Sequence, residues 1–245
     1  MLSQVWNLLL YQPLLNALGF LVSIIPGGDL GIAVIVLTIL VKVVLYPLSK
    51  RSIESQARIN ALAPELNKIK ESGASKEEQA RLTFELYRNN KANPFSGCLL
   101  VLIQIPIIFA LYYVFSRGIS FQGGHIYSFI HVPEHINTIF LGAIDISQKS
   151  LVLAIIAGLS QYLQSHFMPK PVGNSAPGSF QESFAKSMQM QMKYVFPVLI
   201  FVILYTDFLG VSLSGAVALY WITSNLFMVG QQIYIKKKEF ASLAK

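Results

Sequence analysis

Apolar residues run along this chain in long blocks rather than at a strict helical or strand period. Five blocks, at 30–48, 95–115, 151–167, 194–209 and 216–235, are nearly continuous. A membrane-spanning helix needs about 20 mostly apolar residues, so the pattern predicts five spans. A further apolar stretch at 3–25 contains Asn7, Gln12 and Asn16 near helical spacing and is interrupted by Trp6, Tyr11 and Pro13. That mixture suits an amphipathic helix lying in the membrane interface, with a sixth span as the competing reading. Pro26-Gly27-Gly28 then turns the chain, and Asp29 stands where it can cap the first span.

The polar stretches between blocks have their own pattern. In 50–93, Ile53, Ala57, Leu62, Leu66 and Ile69 keep approximate helical spacing, and Ser72-Gly73-Ala74 makes a turn. Ser75 with Glu78 has capping-box spacing, and Ala80, Phe84 and Tyr87 continue the apolar stripe. The expectation is a basic, amphipathic helical hairpin carrying Lys50, Arg51, Arg58, Arg81 and Arg88, with Pro64 as a kink or stop in its first arm. The resulting order is an interfacial segment at 1–28, spans at 29–49, 94–116, 150–168, 194–210 and 211–235, the hairpin at 50–93, an external segment at 117–149, a flexible loop at 169–193 and a basic tail at 236–245. The predicted fold class is an all-α integral membrane protein.

Composition agrees with this class. The chain is 53% hydrophobic and 13% charged, with a mean hydropathy of +0.54, outside the usual range of soluble domains. The net charge of +7 matters less than its distribution. Placing 50–93, 169–193 and 236–245 on one side gives that side 16 basic residues, against Arg117 and Lys149 on the other. The positive-inside rule makes the first side, and the C-terminus with it, cytoplasmic. No charged region followed by a cleavage site is evident near Met1, so no ordinary signal peptide is expected. The single cysteine, Cys98, excludes an intrachain disulfide framework.

Candidate chemistry is sparse. His125, His131 and His135 lack a carboxylate or cysteine set at consistent spacing, so an amphipathic surface element is preferred to a metal site, and no cofactor is expected. No GxSxG, HExxH or GxxxxGK[ST] motif occurs, nor a pair of carboxylates within the spans, so no catalytic residue is assigned and the protein is not expected to be an enzyme. The exception is Lys42 in LTILVKVVLYPLSKR. A charge at bilayer depth costs about 2.5–3.5 kcal/mol on insertion scales and is a functional candidate by default. Lys42 lies about 12 Å along a helix from Lys50, too deep for easy snorkelling, and no span offers it a matching carboxylate, since Asp207 should sit near the far side. Thr38 lies on its face at i−4, while Gln104, Gln161, Gln164 and Asn225 are polar residues of other spans. Each amide alone can be interhelical glue; together with a lysine they suggest a polar, hydrated cavity. A small anion transporter or channel using Lys42 is one use of such a cavity, although the apolar outer half of the first span argues for a closed end. A non-catalytic accessory subunit of the Sec translocon is another reading.

Three stretches, LTILVKVVLYPLSKRS, NPFSGCLLVLIQIPIIFALYYVF and ALYWITSNLFMVGQQ, resemble the corresponding spans of the YidC/Oxa/Alb family of membrane protein insertases, in the short form without a large periplasmic domain. The resemblance implies five spans around a hydrophilic groove that opens to the cytoplasm and to lipid and is closed toward the outside. The implied activity is insertion and folding of small membrane proteins in the bacterial inner membrane. The implied partners are nascent membrane proteins and lipids, with the ribosome, the signal recognition particle receptor and the Sec translocon as further candidates and no specific nucleic acid. The family's groove arginine falls on Lys42, and Thr38, Gln104 and Asn225 match further groove positions; Gln161 and Gln164 are added from the polar pattern alone. Lysine in place of arginine makes the electrostatic role more dependent on water. The connection DFLGVSLSG is longer than the family's turn between the last two spans.

Overall fold

The computed structural model describes residues 4, 6–93, 96–116, 126–131, 133, 135–168, 187, 189–207 and 212–243, with the side chains of 96–103, 115–116 and 238–243 left aside. Pro94, Arg117, His125, Glu134, the loop at 169–186, Met188 and the connection at 208–211 fall outside these residues, as does the side chain of Cys98. After a π-turn at Asn7–Tyr11, α1 spans Gln12–Ile24. The helices α2 (Leu30–Val44), α3 (Tyr46–Ala61), α4 (Ala63–Glu71), α5 (Lys76–Asn89) and α6 (Ser96–Ser116) follow. Then come a short β-hairpin, β1 (Ile139–Phe140) antiparallel to β2 (Ile144–Asp145), and α7 (Leu151–Phe167). A π-turn at Gln191–Val195 leads into α8 (Phe196–Tyr205), and α9 (Gly215–Leu243) ends the chain.

Local chemistry explains the boundaries. Asp29 caps α2, its Oδ1 accepting the Ile32 N–H at 3.1 Å. The break comes inside the first apolar block, at Leu45, five residues before Lys50, and bends α2 against α3 by 62°. Pro47, in the first turn of α3, lacks an N–H and clashes with the preceding turn if the helix continues. Pro64 opens α4 after the break at Leu62. Ser75 caps α5 by accepting the Glu78 N–H at 3.2 Å, but the carboxylate of Glu78 turns to Arg81, at 2.7 and 3.0 Å, instead of closing a reciprocal box. The hairpin packs on its own small core of Ile59, Leu62, Leu66 and Ala92, with Leu86 and Tyr87 against it. Ser55 Oγ ties its base, accepting the Asn93 N–H at 2.7 Å and donating to the Asn93 carbonyl at 3.1 Å.

By length and hydropathy, Asn7–Ile24 is the one described helix that passes a test for crossing a membrane, and α2 with α3 passes only as a bent pair. The stretch read as interfacial is thus as apolar as a span, although Asn16 is engaged: its Oδ1 accepts the Tyr127 N–H at 2.7 Å. The apolar helices α2, α7 and α8 have 15, 17 and 10 residues. At 1.5 Å per residue, the first two measure about 22 and 25 Å, short of a hydrocarbon core of about 30 Å. The last helix runs past the expected boundary at 235, to Leu243.

The segment at 126–150 gathers several helix ends into one cap. The Leu30 N–H donates to the Asn137 carbonyl at 2.9 Å and the Asn137 N–H to the Gly28 carbonyl at 3.2 Å. Asp29 Oδ2 accepts the Leu141 N–H at 2.9 Å. Farther along, Ile146 and Gln148 carbonyls accept the Ala216 and Gly215 N–H groups at 3.0 and 2.7 Å, and Ser150 caps α7 through the Leu153 N–H. Lys149 pairs with Asp207. The first turns of α2, α7 and α9 therefore lie at the same end of the bundle as the exit of α8.

Beneath this cap, α9 packs on α7 and α2, and α8 packs on α7. The core includes Leu18, Leu30, Ala33, Ile146, Ala154 and Val217. Gly31 matters to the cap because a Cβ there would stand 2.2 Å from Cδ2 and 2.9 Å from Cβ of Phe140. Gly31→Ala is expected to destabilise the protein by about 1–3 kcal/mol through overpacking, read as a lower thermal unfolding midpoint in detergent. Adding Phe140→Ala is expected to recover part of that loss; full stability of the single variant would show that the cap yields without cost.

Candidate functional site

Lys42 lies in the last turn of α2, buried at 8% exposure. Its Nζ donates to Gln104 Oε1 of α6 at 2.9 Å. The other end of the same amide, Nε2, donates to the Tyr220 hydroxyl of α9, and Ser224 is buried one turn farther along that helix. One charge thus draws polar groups from two other helices. Among the described residues, no carboxylate pairs with Lys42. An ammonium carries three donors, and Gln104 satisfies one of them. The arrangement is suited to receiving an acceptor, either water or an acidic or carbonyl-bearing chain.

A second polar cluster joins α7 to α9. Trp221 Nε1 donates to Gln161 Oε1 at 2.9 Å, and Asn225 Nδ2 donates to the same oxygen at 3.2 Å and to Ser160 Oγ at 3.0 Å. Ser160 in turn donates to the Ala157 carbonyl at 2.8 Å. A third group lies where α9 passes α3: Gln231 Nε2 donates to Ser49 Oγ at 2.5 Å. Gln231 Oε1 and Gln232 Oε1 are buried without a partner among the described residues. Beside them a cavity of about 430 Å³ is lined by Tyr46, Phe227, Gly230, Gln231 and Tyr234. Buried acceptors that the protein leaves open are satisfied by water or by an incoming donor.

These groups are layered along the bundle. On α2 the buried residues nearest the cap are Leu30, Ala33, Val34 and Leu37, followed by Thr38 and Lys42. On α9 the buried run from Ala216 to Leu219 precedes Tyr220, Ser224, Asn225, Gln231 and Gln232. The two helices begin at the same cap, so apolar meets apolar near it and polar meets polar farther away.

The structure brings Lys42 and Gln104 into direct contact and Asn225 onto Gln161. Thr38 is buried, but its Oγ1 donates to the Val34 carbonyl at 2.6 Å. Gln164 is half-buried and, among the described residues, has no side-chain bond to either cluster. In the hairpin, Lys50 pairs with Glu54 at 3.6 Å and Arg81 with Glu78, while Arg51, Arg58 and Arg88 are exposed. His131 and His135 are exposed, and among the described residues no group of three or more His, Cys, Asp or Glu is placed to hold a metal ion. Sequence reasoning missed Tyr220, Ser160 and Trp221. For Tyr220 a signal existed, since it precedes Ser224 by four positions and so shares its face.

The family model described as 60Kd inner membrane protein matches residues 20–242. The chain is 33% identical over 232 residues to a membrane protein insertase YidC of Fusobacterium nucleatum, covering 94% of this chain and 98% of the relative. It is 35% identical over 225 residues to a YidC of Clostridium tetani, covering 90% and 88%. A solved structure described as an active YidC insertase with the first transmembrane domain resolved is similar in fold, with a TM-score of 0.50 and 22% identity over 83% of this chain and 41% of that one. The first match runs from within α1 into the last turn of α9, through both polar clusters and the hairpin, and makes this chain a member of the 60Kd inner membrane protein family.

Proposed function

We propose that the protein is a membrane protein insertase that works through a polar groove around Lys42. The observation that carries this reading is the buried Lys42 ammonium, bonded to Gln104 and left without a carboxylate among the described residues. The names of the near full-length relatives support it.

In this reading the five spans are those predicted from the sequence. The groove opens to the cytoplasm, on the side of the hairpin and the basic tail, which the distribution of basic residues supports. Lys42 attracts the acidic or carbonyl-rich part of a substrate as it starts to cross. Gln104 holds the ammonium in place and leaves two of its donors for the passing chain. Tyr220, Ser224, Asn225 and Gln161 replace part of the water the chain gives up, and Thr38 completes the polar face. The buried acceptors of Gln231 and Gln232 keep water at the cytoplasmic mouth. Short helices add to the effect, because a bilayer thins to match them, which shortens the polar segment's path. The substrate helix then leaves sideways into lipid as its apolar surface is buried. No step needs a nucleotide or a covalent intermediate. Basic residues on the hairpin and tail give the ribosome, the signal recognition particle receptor and the Sec translocon a surface to meet.

The apolar layer under the outer cap argues against a channel, which needs polar lining throughout the membrane. Depletion of the protein followed by insertion assays on small single- and double-span substrates separates the two: normal insertion with lost solute flux would sink the insertase reading. Lys42→Arg is expected to keep activity. Lys42→Ala is expected to lower insertion of substrates with acidic translocated tails by about ten-fold, equivalent to about 1.4 kcal/mol and close to one hydrogen bond to a charged group. Equal activity of the alanine variant on all substrates would make Lys42 a bystander. Gln104→Leu, which leaves the ammonium unheld, is expected to reduce insertion of the same substrates by a similar factor, with Tyr220→Phe milder; a Gln104→Leu variant at full activity would remove Gln104 from the groove's working parts.

A further inference from the structure

A second cavity, of about 450 Å³, runs between α7 and α8 and is used by neither the Lys42 cluster nor the cap. Its α7 wall is Ile155, Gly158, Leu159 and Tyr162. The opposite wall is Tyr194, Pro197, Val198 and Phe201. Each set has the spacing i, i+3, i+4, i+7 of one helix face, so the cavity is a groove between two ridges. The helices close its floor at Gly158, where a Cβ would stand 3.1 Å from the Pro197 carbonyl oxygen. Its rim is open, with Leu159 64% and Val198 61% exposed.

The polarity of this groove is one-sided. Its lining is apolar except at one end, where Lys193 sits with its Nζ 5.2 Å from the centroid of the Tyr194 ring. That ring lies 6.2 Å from Tyr162 across the groove. Lys193 occupies the middle of the π-turn Gln191–Val195, a widened turn of a kind frequent at functional sites. Among the described residues no carboxylate pairs with it. From Tyr194 to Phe201 the groove extends about 10 Å along the helix.

Size decides between occupants. Spread over that length, 450 Å³ leaves a cross-section of about 45 Å², whereas a helix about 10 Å across needs roughly 80 Å². The groove is too narrow to enclose a helix and suits a hydrocarbon chain laid along it. We infer that it binds one anionic phospholipid, with the headgroup phosphate on Lys193, the glycerol region beside Tyr162 and Tyr194, and an acyl chain along Leu159, Val198 and Phe201. A zwitterionic lipid fills the same groove but brings a second positive charge to the lysine. The site requires that α7 and α8 lie in the bilayer and does not depend on the Lys42 groove.

The test is native mass spectrometry of the full chain released from detergent, titrated with dioleoyl phosphatidylglycerol, dioleoyl phosphatidylcholine or inorganic phosphate. Phosphatidylglycerol is expected to give one tight adduct, phosphatidylcholine a weaker one and phosphate none. Lys193→Gln is expected to weaken the phosphatidylglycerol adduct about five-fold, the worth of one lysine at an anionic lipid surface, and Lys193→Arg to restore it. Val198→Trp, which fills the groove from an exposed position, is expected to remove the tight adduct while thermal unfolding stays at the parent value. Lys237→Gln on the exposed tail is expected to change nothing. Equal retention of both lipids, or equal losses from Lys193→Gln and Lys237→Gln, would overturn the proposal in favour of diffuse attraction. A photoreactive group at Leu159 that captures a substrate protein instead of lipid would overturn it in favour of a protein partner. None of these outcomes bears on insertion through Lys42, which the Lys42 variants report separately.

Discussion

An ammonium among apolar helices has to be met by polar atoms, and much of this bundle is arranged around that requirement. Lys42 brings α6 to α2 through Gln104, and Gln104 brings α9 through Tyr220. Because those contacts come from different helices, the charge fixes their register as well as its own surroundings. It also marks a level: toward the cap α2 and α9 bury aliphatic residues against each other, and away from it amides and hydroxyls join the buried set. The insertion cost of a lysine is thus offset by a polar layer assembled at one depth.

Two further units flank this layer and differ in how firmly they are held. The cap at 126–150 is bound by backbone hydrogen bonds to the starts of α2 and α9 and by the carboxylate of Asp29. The hairpin is held together by four buried residues of its own and fastened at its base by Ser55 and Asn93. Few buried apolar contacts and many exposed charges place it at the low end of local stability. A hydrogen-bonded cap at one end and a lightly held hairpin at the other suit the proposed groove, which would receive chains from one direction.

The sequence made much of this visible because membrane helices obey strong rules. Asp29 and Ser75 were readable as caps from position alone, since capping depends on a residue and its next three N–H groups. Lys42 stood out because a charge in an apolar run has few explanations. What could not be read were features depending on distant pairing. The bend at Leu45 required weighing Pro47 against an apolar block that continues past it, and the block suggested a longer straight helix. The cap was invisible because Asn137, Leu141 and Ile146 are ordinary loop residues until they meet helix starts more than 60 positions away. Tyr220 was passed over because an aromatic in a span reads as packing, and its hydroxyl acquires meaning only when Gln104 arrives from another helix.

The bond between Asp29 and the Leu141 N–H joins residues 112 positions apart, and this separation bears on the protein's own birth. At about 5–20 residues per second, the start of α2 waits on the order of 10 s for the segment that seals it. During that interval Lys42 lacks Gln104 for part of the time and Tyr220 for all of it. The nascent chain therefore presents to its surroundings an unsatisfied polar group in a half-built bundle until its later helices arrive.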